Sequence, residues 1–310
     1  MRIRFWGVRG SLPAPLQPSQ IKAKVSEILR LARPEDLADK KSRERFIAAL
    51  PSWLCGTFGG NTPCVSLEDD GFDESIVFDC GSGMRGLGLS PASRRSKYHV
   101  FFSHFHFDHL QGLPFFAPAY DPAVSVNFYS PNPGLKDCLS KLLSSPYSPV
   151  TLREMPAAKR FVVLEGPLSL GPFDLSYQKL SHPDQCFAYK ARRGDRSVIY
   201  ATDTELKRND LAPGKKSEAF FRGADVLILD AQYTPTEALQ RRNWGHSSYD
   251  LAVDFAALWG VKRLIFFHHD PDSDDDKLRK TLSSARKRAK AIGCKGMEIS
   301  LAEEGLEITL

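Results

Sequence analysis

The densest group of potential metal ligands lies within residues 103–112, whose sequence SHFHFDHLQG has the spacing His-x-His-x-Asp-His. The chain has 8 histidines among 310 residues and places His104, His106 and His109 here, together with Asp108. Neutral imidazole and carboxylate groups are good ligands for zinc and similar divalent cations. Chance enrichment of histidine in a solvated loop is a poor explanation for this spacing. The stretch therefore predicts a metal site.

The motif follows an apolar run at residues 98–102, which is typical of a buried strand. Gln111, Gly112 and Pro114 then indicate a turn. The candidate ligands thus lie where a strand ends and a loop begins, which is a usual place for a site in an α/β protein.

His104-x-His106-x-Asp108-His109 resembles the signature of the metallo-β-lactamase superfamily. The resemblance implies an α/β fold, a four-layer αββα sandwich, formed as a single domain by residues 1–310. It also implies two divalent metal ions, with Zn²⁺ favoured and Mn²⁺ as the alternative. Only residues 14–52 fall outside the resemblance.

Further polar residues follow apolar strands later in the chain. The strands predicted at residues 175–181, 197–202, 226–229 and 262–267 end at His182, Asp203, Asp230 and His268. Polar residues placed after successive core strands converge on one edge of a sheet, so we expect these side chains to meet. His269 is adjacent to His268 on the predicted strand and must face the opposite way.

The resemblance implies a role for each of these residues. The first metal would be held by His104, His106 and His182, the second by Asp108, His109 and His268, with Asp203 bridging the two ions. A hydroxide shared by the metals would be the nucleophile, because metal binding lowers the pKa of water towards neutrality. The family pattern favours His268 over His269 as the inward-facing ligand.

His246 points to one branch of this superfamily. The segment Gly245-His246-Ser247-Ser248 opens a predicted helix, and with residues 260–264 it resembles the tRNase Z and PhnP-type phosphodiesterase branch. In that branch the histidine is a general acid oriented by a carboxylate, here Asp230, so His246, Asp230 and Asp108 are the predicted catalytic residues. The alkoxide that leaves a phosphodiester needs a proton, whereas a thiolate needs little help. The alternative, that His246 only caps its helix, stays open.

These features predict a di-metal phosphodiesterase that acts on a small phosphodiester or a nucleotide. Asp203 stands where β-lactamases commonly have a cysteine, and His106 stands where the oxygen-reducing di-iron branch has an acid. Neither a β-lactam hydrolase nor a redox enzyme is therefore favoured. Only 20 residues, 183–202, separate His182 from Asp203, which leaves no room for a long tRNA-binding arm. An RNA endonuclease of the tRNase Z type and a thioester hydrolase of the glyoxalase II type remain alternatives. A non-catalytic, metal-dependent binding protein is disfavoured by the complete ligand set.

The composition is that of an ordinary globular protein, with 42% hydrophobic residues, 25% charged residues and a formal net charge of +5. No run of about 18 apolar residues is present, so no membrane span is expected. The N-terminal residues are predicted to form a strand and do not have the features of a signal peptide. The six cysteines are scattered, which is typical of free thiols in a reducing compartment. We therefore expect a cytoplasmic protein with no stable nucleic-acid partner; a homodimer is compatible with the family.

Residues 14–52 differ from the rest of the chain. Ile21, Val25 and Ile28 recur at helical spacing between basic residues, which predicts a helical insertion within the first hairpin. It could serve as a lid, a partner surface or simple decoration. Elsewhere, residues 161–164 and 173–180 are predicted as strands of a second sheet.

Four residues are candidates for substrate contacts. Trp244, Tyr233 and Phe116 are aromatic rings that could stack on a base, and Arg9 could meet a phosphate.

Overall fold

The computed structural model describes residues 1–212 and 216–310. Its strands are β1 (Arg2–Gly7), β2 (Cys64–Asp69), β3 (Phe72–Phe78), β4 (Lys97–Phe101), β5 (Ser125–Ser130), β6 (Ala158–Val163), β7 (Leu168–Leu170), β8 (Phe173–Lys179), β9 (Phe187–Arg193), β10 (Arg196–Ala201), β11 (Val226–Asp230), β12 (Arg263–Phe267), β13 (Glu298–Leu301) and β14 (Glu307–Thr309). Its α-helices are α1 (Pro18–Leu31), α2 (Pro34–Leu37), α3 (Lys40–Ala49), α4 (Ser52–Cys55), α5 (Met84–Leu89), α6 (Leu135–Leu142), α7 (Lys216–Phe221), α8 (Pro235–Gln240), α9 (Tyr249–Leu258) and α10 (Asp275–Ala291).

In the described ranges these strands form two mixed sheets. The first has the order β14-β1-β2-β3-β4-β5-β6, and the second has the order β13-β12-β11-β10-β9-β8-β7. Strands β3 to β6 are parallel in the first sheet, and β10 to β13 are parallel in the second. Parallel strands are covered on both faces, which explains why β11 is buried along its whole length.

The apolar side chains fall into layers that explain the packing of the sheets. Phe78 and Tyr200 stack with ring centroids 5.3 Å apart in the cluster between the two sheets. A second cluster joins the outer face of the second sheet to α9 and α10, and a third joins the first sheet to α5 and α6. Helices therefore cover the outer faces of two packed sheets, and the predicted αββα sandwich is confirmed.

One strand lies in the other sheet from the one predicted. The sequence places residues 161–164 in the second sheet, but β6 pairs in parallel with β5 in the first. The chain crosses to the second sheet only at β7, which pairs with β8. An apolar strand pattern indicates that a strand is buried, but it does not indicate which strand lies next to it. The sheet to which β6 belongs could therefore not be predicted from the sequence.

The strand ends that carry polar residues meet at one edge of the sandwich. Asp79 follows β3, Asp203 follows β10 and His268 follows β12. All three have positive φ, at 58°, 51° and 60° respectively. Such a backbone costs a non-glycine residue of order 1–3 kcal/mol and tends to occur at functional sites. The side chains of all three residues lie next to His109.

Four helices, α1 to α4, lie between β1 and β2, at the place of the predicted insertion. None of the residues of α1, α2 and α3 is buried. Lys24 attaches this segment by donating to Asp275 Oδ2 at 2.7 Å and to the carbonyl of Gly56 at 2.8 Å. Ile21, Val25 and Leu29 remain exposed on α1.

None of the described helices combines the length and the apolar character needed to cross a bilayer.

Candidate metal centre

The structure brings all seven predicted ligands together. One group consists of His104, His106, His182 and Asp203, with one potential ligand atom from each lying within 4.8 Å of the others. A second group meets the same criterion and consists of Asp108, His109 and His268. The ligands come from the loop after β4 and from the ends of β8, β10 and β12, as the strand-end pattern predicts.

Asp203 lies between the two groups. Its Oδ1 is 3.7 Å from His104 Nε2, and its Oδ2 is 3.3 Å from both His109 Nε2 and His268 Nε2. Asp108 Oδ2 lies 3.2 Å from the same two nitrogens, His109 Nε2 and His268 Nε2. Each carboxylate oxygen of Asp203 thus faces a different set of histidines, which is the arrangement that a bridging ligand requires.

Asp79 fixes the orientation of His109. Its Oδ2 is 2.7 Å from His109 Nδ1 and also accepts hydrogen bonds from the hydroxyls of Ser103 and Tyr200. Its Oδ1 accepts from the backbone N–H of Ser103. Because Nδ1 is occupied by this contact, Nε2 is the nitrogen of His109 that points into the centre.

Other neighbours hold the remaining ligands. His106 Nε2 contacts Asp184 Oδ2 at 2.7 Å, which leaves Nδ1 for a metal. Asp108 Oδ2 accepts a hydrogen bond from the backbone N–H of Ser11 at 2.8 Å. Gly10 lies so close to His268 that a Cβ added to this glycine would be 2.4 Å from His268 Nδ1.

The donor set fits a pair of divalent cations. The Nε2 atoms of His104 and His182 are buried and have no hydrogen-bond partner. A buried polar atom without a partner is costly, and lone pairs aimed at a common point are what metal coordination needs. Burial lowers the pKa of His104 and of His182, which favours the neutral form that binds metals. Imidazole and carboxylate donors suit Zn²⁺, and a carboxylate-rich set also suits Mn²⁺.

His246 and Asp230 form a pair beside this centre. His246 Nδ1 lies 2.7 Å from Asp230 Oδ2, and the imidazole ring stacks on that of His268 at 5.0 Å. Asp230 Oδ1 accepts from the backbone N–H of Ser247. Burial disfavours the charged imidazole, but the carboxylates of Asp230, Asp203 and Asp108 together outweigh it and raise the pKa of His246 to about 9.

His246 does not lie at a helix cap. It precedes the first residue of α9, Tyr249, by three positions, and Ser248 is the N-cap. The prediction that His246 opens the helix is therefore wrong by a few residues, because the polar segment before α9 is a loop. This placement removes the capping alternative and leaves the side chain beside the ligands.

Two predicted substrate contacts are wrong. The guanidinium of Arg9 is buried and donates to the carbonyls of Gly59, Asp270 and Ser273, so it cannot meet a substrate phosphate. Phe116 is fully buried against Tyr98.

Two other candidates differ in exposure. Tyr233 is only 3% exposed, whereas Trp244 is 62% exposed next to Gly245.

His269 Nε2 donates to the carbonyl of Ala302, and burial lowers the pKa of His269 to about 3. His269 thus packs within the protein while His268 faces the centre.

Some functional neighbours were missed in the sequence. Asp79 ends an apolar strand in the same way as Asp203, and this shared pattern could have identified it. Ser11 contributes a backbone N–H, and Asp184 is an exposed loop residue, so neither leaves a signal in the sequence.

Comparison with known proteins shows the family of this chain. A family model described as a β-lactamase superfamily domain matches residues 74–269. Ribonuclease Z of Picrophilus torridus is 23% identical over 272 residues, covering 70% of this chain and 82% of that protein.

Two solved structures extend the likeness in fold over the whole chain. The metallo-β-lactamase fold protein YhfI of Bacillus subtilis has a TM-score of 0.65 and 19% identity, with 99% of this chain and 98% of that chain covered. A diphosphatase of the PhnP family has a TM-score of 0.64 and 18% identity, with 100% and 97% covered. Since the family model matches more than half of its residues, this chain belongs to the β-lactamase superfamily.

Proposed function

We propose that this metallo-hydrolase is a phosphodiesterase with a binuclear centre of divalent cations. The observation that carries the proposal is the contact of 2.7 Å between His246 Nδ1 and Asp230 Oδ2 beside the ligand groups. A histidine held by a carboxylate next to such a centre is suited to deliver a proton to a leaving group. Of the hydrolytic reactions open to this family, cleavage of a phosphodiester has the greatest need of that proton.

The candidate ligands divide between two ions. His104, His106 and His182 would hold one ion, Asp108, His109 and His268 the other, and Asp203 would contact both. Zn²⁺ is the favoured ion and Mn²⁺ the alternative. When bound, the two ions supply Lewis acidity, which offsets the negative charge of a phosphodiester and makes water a stronger acid.

The protein's own groups define the path of the proton. His246 Nδ1 contacts Asp230, so Nε2 is the nitrogen free to give its proton to the departing oxygen. The Asp230 carboxylate favours the protonated imidazole and fixes the direction of the ring. His246 is therefore the proposed general acid, and Asp230 is the residue that positions it.

The experiment uses metal-stripped protein reloaded with Zn²⁺ or Mn²⁺, assayed with bis-p-nitrophenyl phosphate, a panel of cyclic nucleotides and a thioester. We expect phosphodiester turnover, reduced about 10²–10⁴-fold by His246→Ala. For bis-p-nitrophenyl phosphate the reduction in turnover should be close to the lower limit of about 10²-fold, because p-nitrophenolate needs less protonation than an alkoxide. Thioester turnover that exceeds phosphodiester turnover and is unaffected by His246→Ala would contradict the proposal and support the acyl hydrolase.

A second candidate is an RNA endonuclease, which the name of the Picrophilus relative suggests. The residues between His182 and Asp203 are occupied by β9, β10 and their connections, which argues against a long RNA-binding arm at that place. Cleavage of a precursor tRNA with a higher kcat/KM than any small phosphodiester would favour the endonuclease.

A further inference from the structure

A cavity opens beside His246, and His246 is the one residue of the candidate centre and its proton-donating pair that lines it. It has a volume of about 510 Å³ and is lined by His246, Ser248 and residues of the segments 205–208 and 235–243. Ligand sites for small molecules have volumes of roughly 300–1,000 Å³, so the space is large enough for one nucleotide. If His246 is the general acid, as the proposed function holds, this cavity is the space next to the leaving group.

Three cations line this cavity: Lys207, Arg208 and Arg242. Two carboxylates, Glu205 and Asp250, line it too, which leaves an excess of positive charge. Glu205 is engaged locally, because its Oε2 accepts from the Gly245 N–H and its Oε1 is 3.9 Å from Lys207 Nζ.

The two arginines of this cavity differ from their neighbour Arg241 in whether they form an ion pair. Arg241, the neighbour of Arg242, is paired with Asp270 at 2.9 Å. Arg208 and Arg242 are exposed at the cavity and make no ion pair with the described residues. Arginine presents a planar set of donors that matches a phosphate group. The cavity wall thus offers two guanidinium groups that are not paired with a carboxylate of the described residues.

We infer that this cavity binds a second phosphate, carried by the leaving-group half of the substrate. The inference rests on the proposed function and narrows its substrate class. The reacting phosphate belongs to the metal centre, so the cations beyond His246 are available for another anion. A substrate with one phosphate, such as a simple cyclic nucleotide, leaves this subsite empty. An oligonucleotide or a phosphorylated dinucleotide fills it.

The test compares kcat/KM for TpT with kcat/KM for pTpT and TpTp, which carry the additional phosphate on opposite halves. We expect one of the two to exceed TpT by about tenfold, since one charge-assisted contact to phosphate is of that order. The products of TpT cleavage, either Tp and T or T and pT, identify the leaving half, and the preferred isomer should carry its additional phosphate on that half; a preference for the other isomer contradicts the inference. TpTpT distinguishes an internal diester phosphate from a terminal monoester in the same subsite. The preference should shrink as salt is added.

Variants assign the preference to the cavity. Arg242→Gln and Arg208→Gln should reduce the ratio of kcat/KM for the preferred isomer to that for TpT, and Arg242→Lys should retain part of it. The matched control is Arg192→Gln, which makes the same charge change on β9, five residues beyond Phe187 at the site end of that strand. It should leave the ratio unchanged.

The possible failures are distinguishable. If wild-type protein hydrolyses bis-p-nitrophenyl phosphate but prefers neither phosphorylated dinucleotide over TpT, the inferred phosphate subsite is wrong and the proposed function stands. A ratio that falls equally in Arg192→Gln overturns the subsite as well, because the effect would then come from net charge. If metal-loaded protein hydrolyses neither bis-p-nitrophenyl phosphate nor TpT, both the proposed function and the inferred subsite are wrong.

Discussion

Asp79 Oδ2 lies 2.7 Å from His109 Nδ1, and neither side chain is exposed to solvent. The same carboxylate accepts from Ser103 and from Tyr200, whose ring belongs to the core between the sheets. One residue therefore connects the packing of the two sheets to the direction of a candidate metal ligand.

Replacing Asp79 should weaken metal binding more than it weakens the fold. Asp79→Asn keeps the shape of the side chain and tolerates the positive φ of 58°. The amide is a weaker acceptor for His109 Nδ1–H, so we expect metal affinity to fall about 10–100-fold. Competition with a chelator of known affinity measures this. Tyr200→Phe, which removes one donor to Asp79 and not the acceptor, is the control; equal losses in both variants would contradict the orienting role.

The ligand positions were predictable because each follows an apolar strand, and the ends of parallel strands must meet at one edge of a sheet. His182, Asp203 and His268 could be placed together in this way without any coordinates. The choice of His268 over His269 came from the family resemblance and from the alternation of side chains along a strand.

What could not be predicted depends on backbone contacts between distant segments. Ser11 reaches Asp108 through its N–H, and β6 joins the first sheet through its pairing with β5. Neither contact can be inferred from the types of the residues that make it. Arg9 was misassigned because a buried arginine that binds carbonyl groups has the same sequence appearance as one that meets a phosphate.

Loading the centre with metal should stabilise the folded chain. A ligand that binds only the folded state at 100 times its Kd adds about 2.7 kcal/mol to the free energy of unfolding. We expect Tm to rise when Zn²⁺ is added to chelator-treated protein, and this rise to shrink in Asp203→Asn, since Asp203 faces both ligand groups. Asp254→Asn removes a carboxylate that pairs with Arg288 on the protein surface and should retain the full rise. A rise of equal size in Asp203→Asn would count against the bridging role.

A histidine away from the centre should make stability depend on pH. His99 contacts Glu74 Oε2 at 2.6 Å and Tyr129 Oη at 2.9 Å, with Lys97 close by on its own strand. Burial lowers the pKa of His99 below its ordinary value of 6.5, despite the opposing Glu74 carboxylate.

The sign of this effect follows from proton binding. Below pH 6.5 the unfolded chain binds a proton that folded His99 does not, so stability falls as pH falls through that value, by at most about 1.4 kcal/mol per pH unit. Urea unfolding of metal-free protein at pH 7.5 and 5.5 measures it. The difference in unfolding free energy between wild type and His99→Gln should be smaller at pH 5.5; a difference independent of pH would rule out this titration.

The glycine before His246 should be essential for activity, for a reason separate from its backbone angle. Gly245 has a φ of 89°, and a Cβ added there would lie 2.2 Å from His182 Cδ2 and 2.9 Å from Pro183 Cδ. Gly245→Ala must displace either the ligand His182 or the loop that carries His246 against Asp230. A shift of about 1 Å at such a position can cost on the order of 10²-fold in rate, so we expect kcat to fall at least that far.

Gly296 provides the matched control for this substitution. It has the same φ of 89°, and a Cβ added there would meet nothing within 4 Å. Gly296→Ala therefore introduces the backbone strain alone, which should lower Tm and leave kcat near the wild-type value. If both variants lost activity equally, strain rather than contact with His182 would explain the requirement for glycine. If Gly245→Ala retained full activity, the close packing of the His246 loop on His182 would have no part in catalysis.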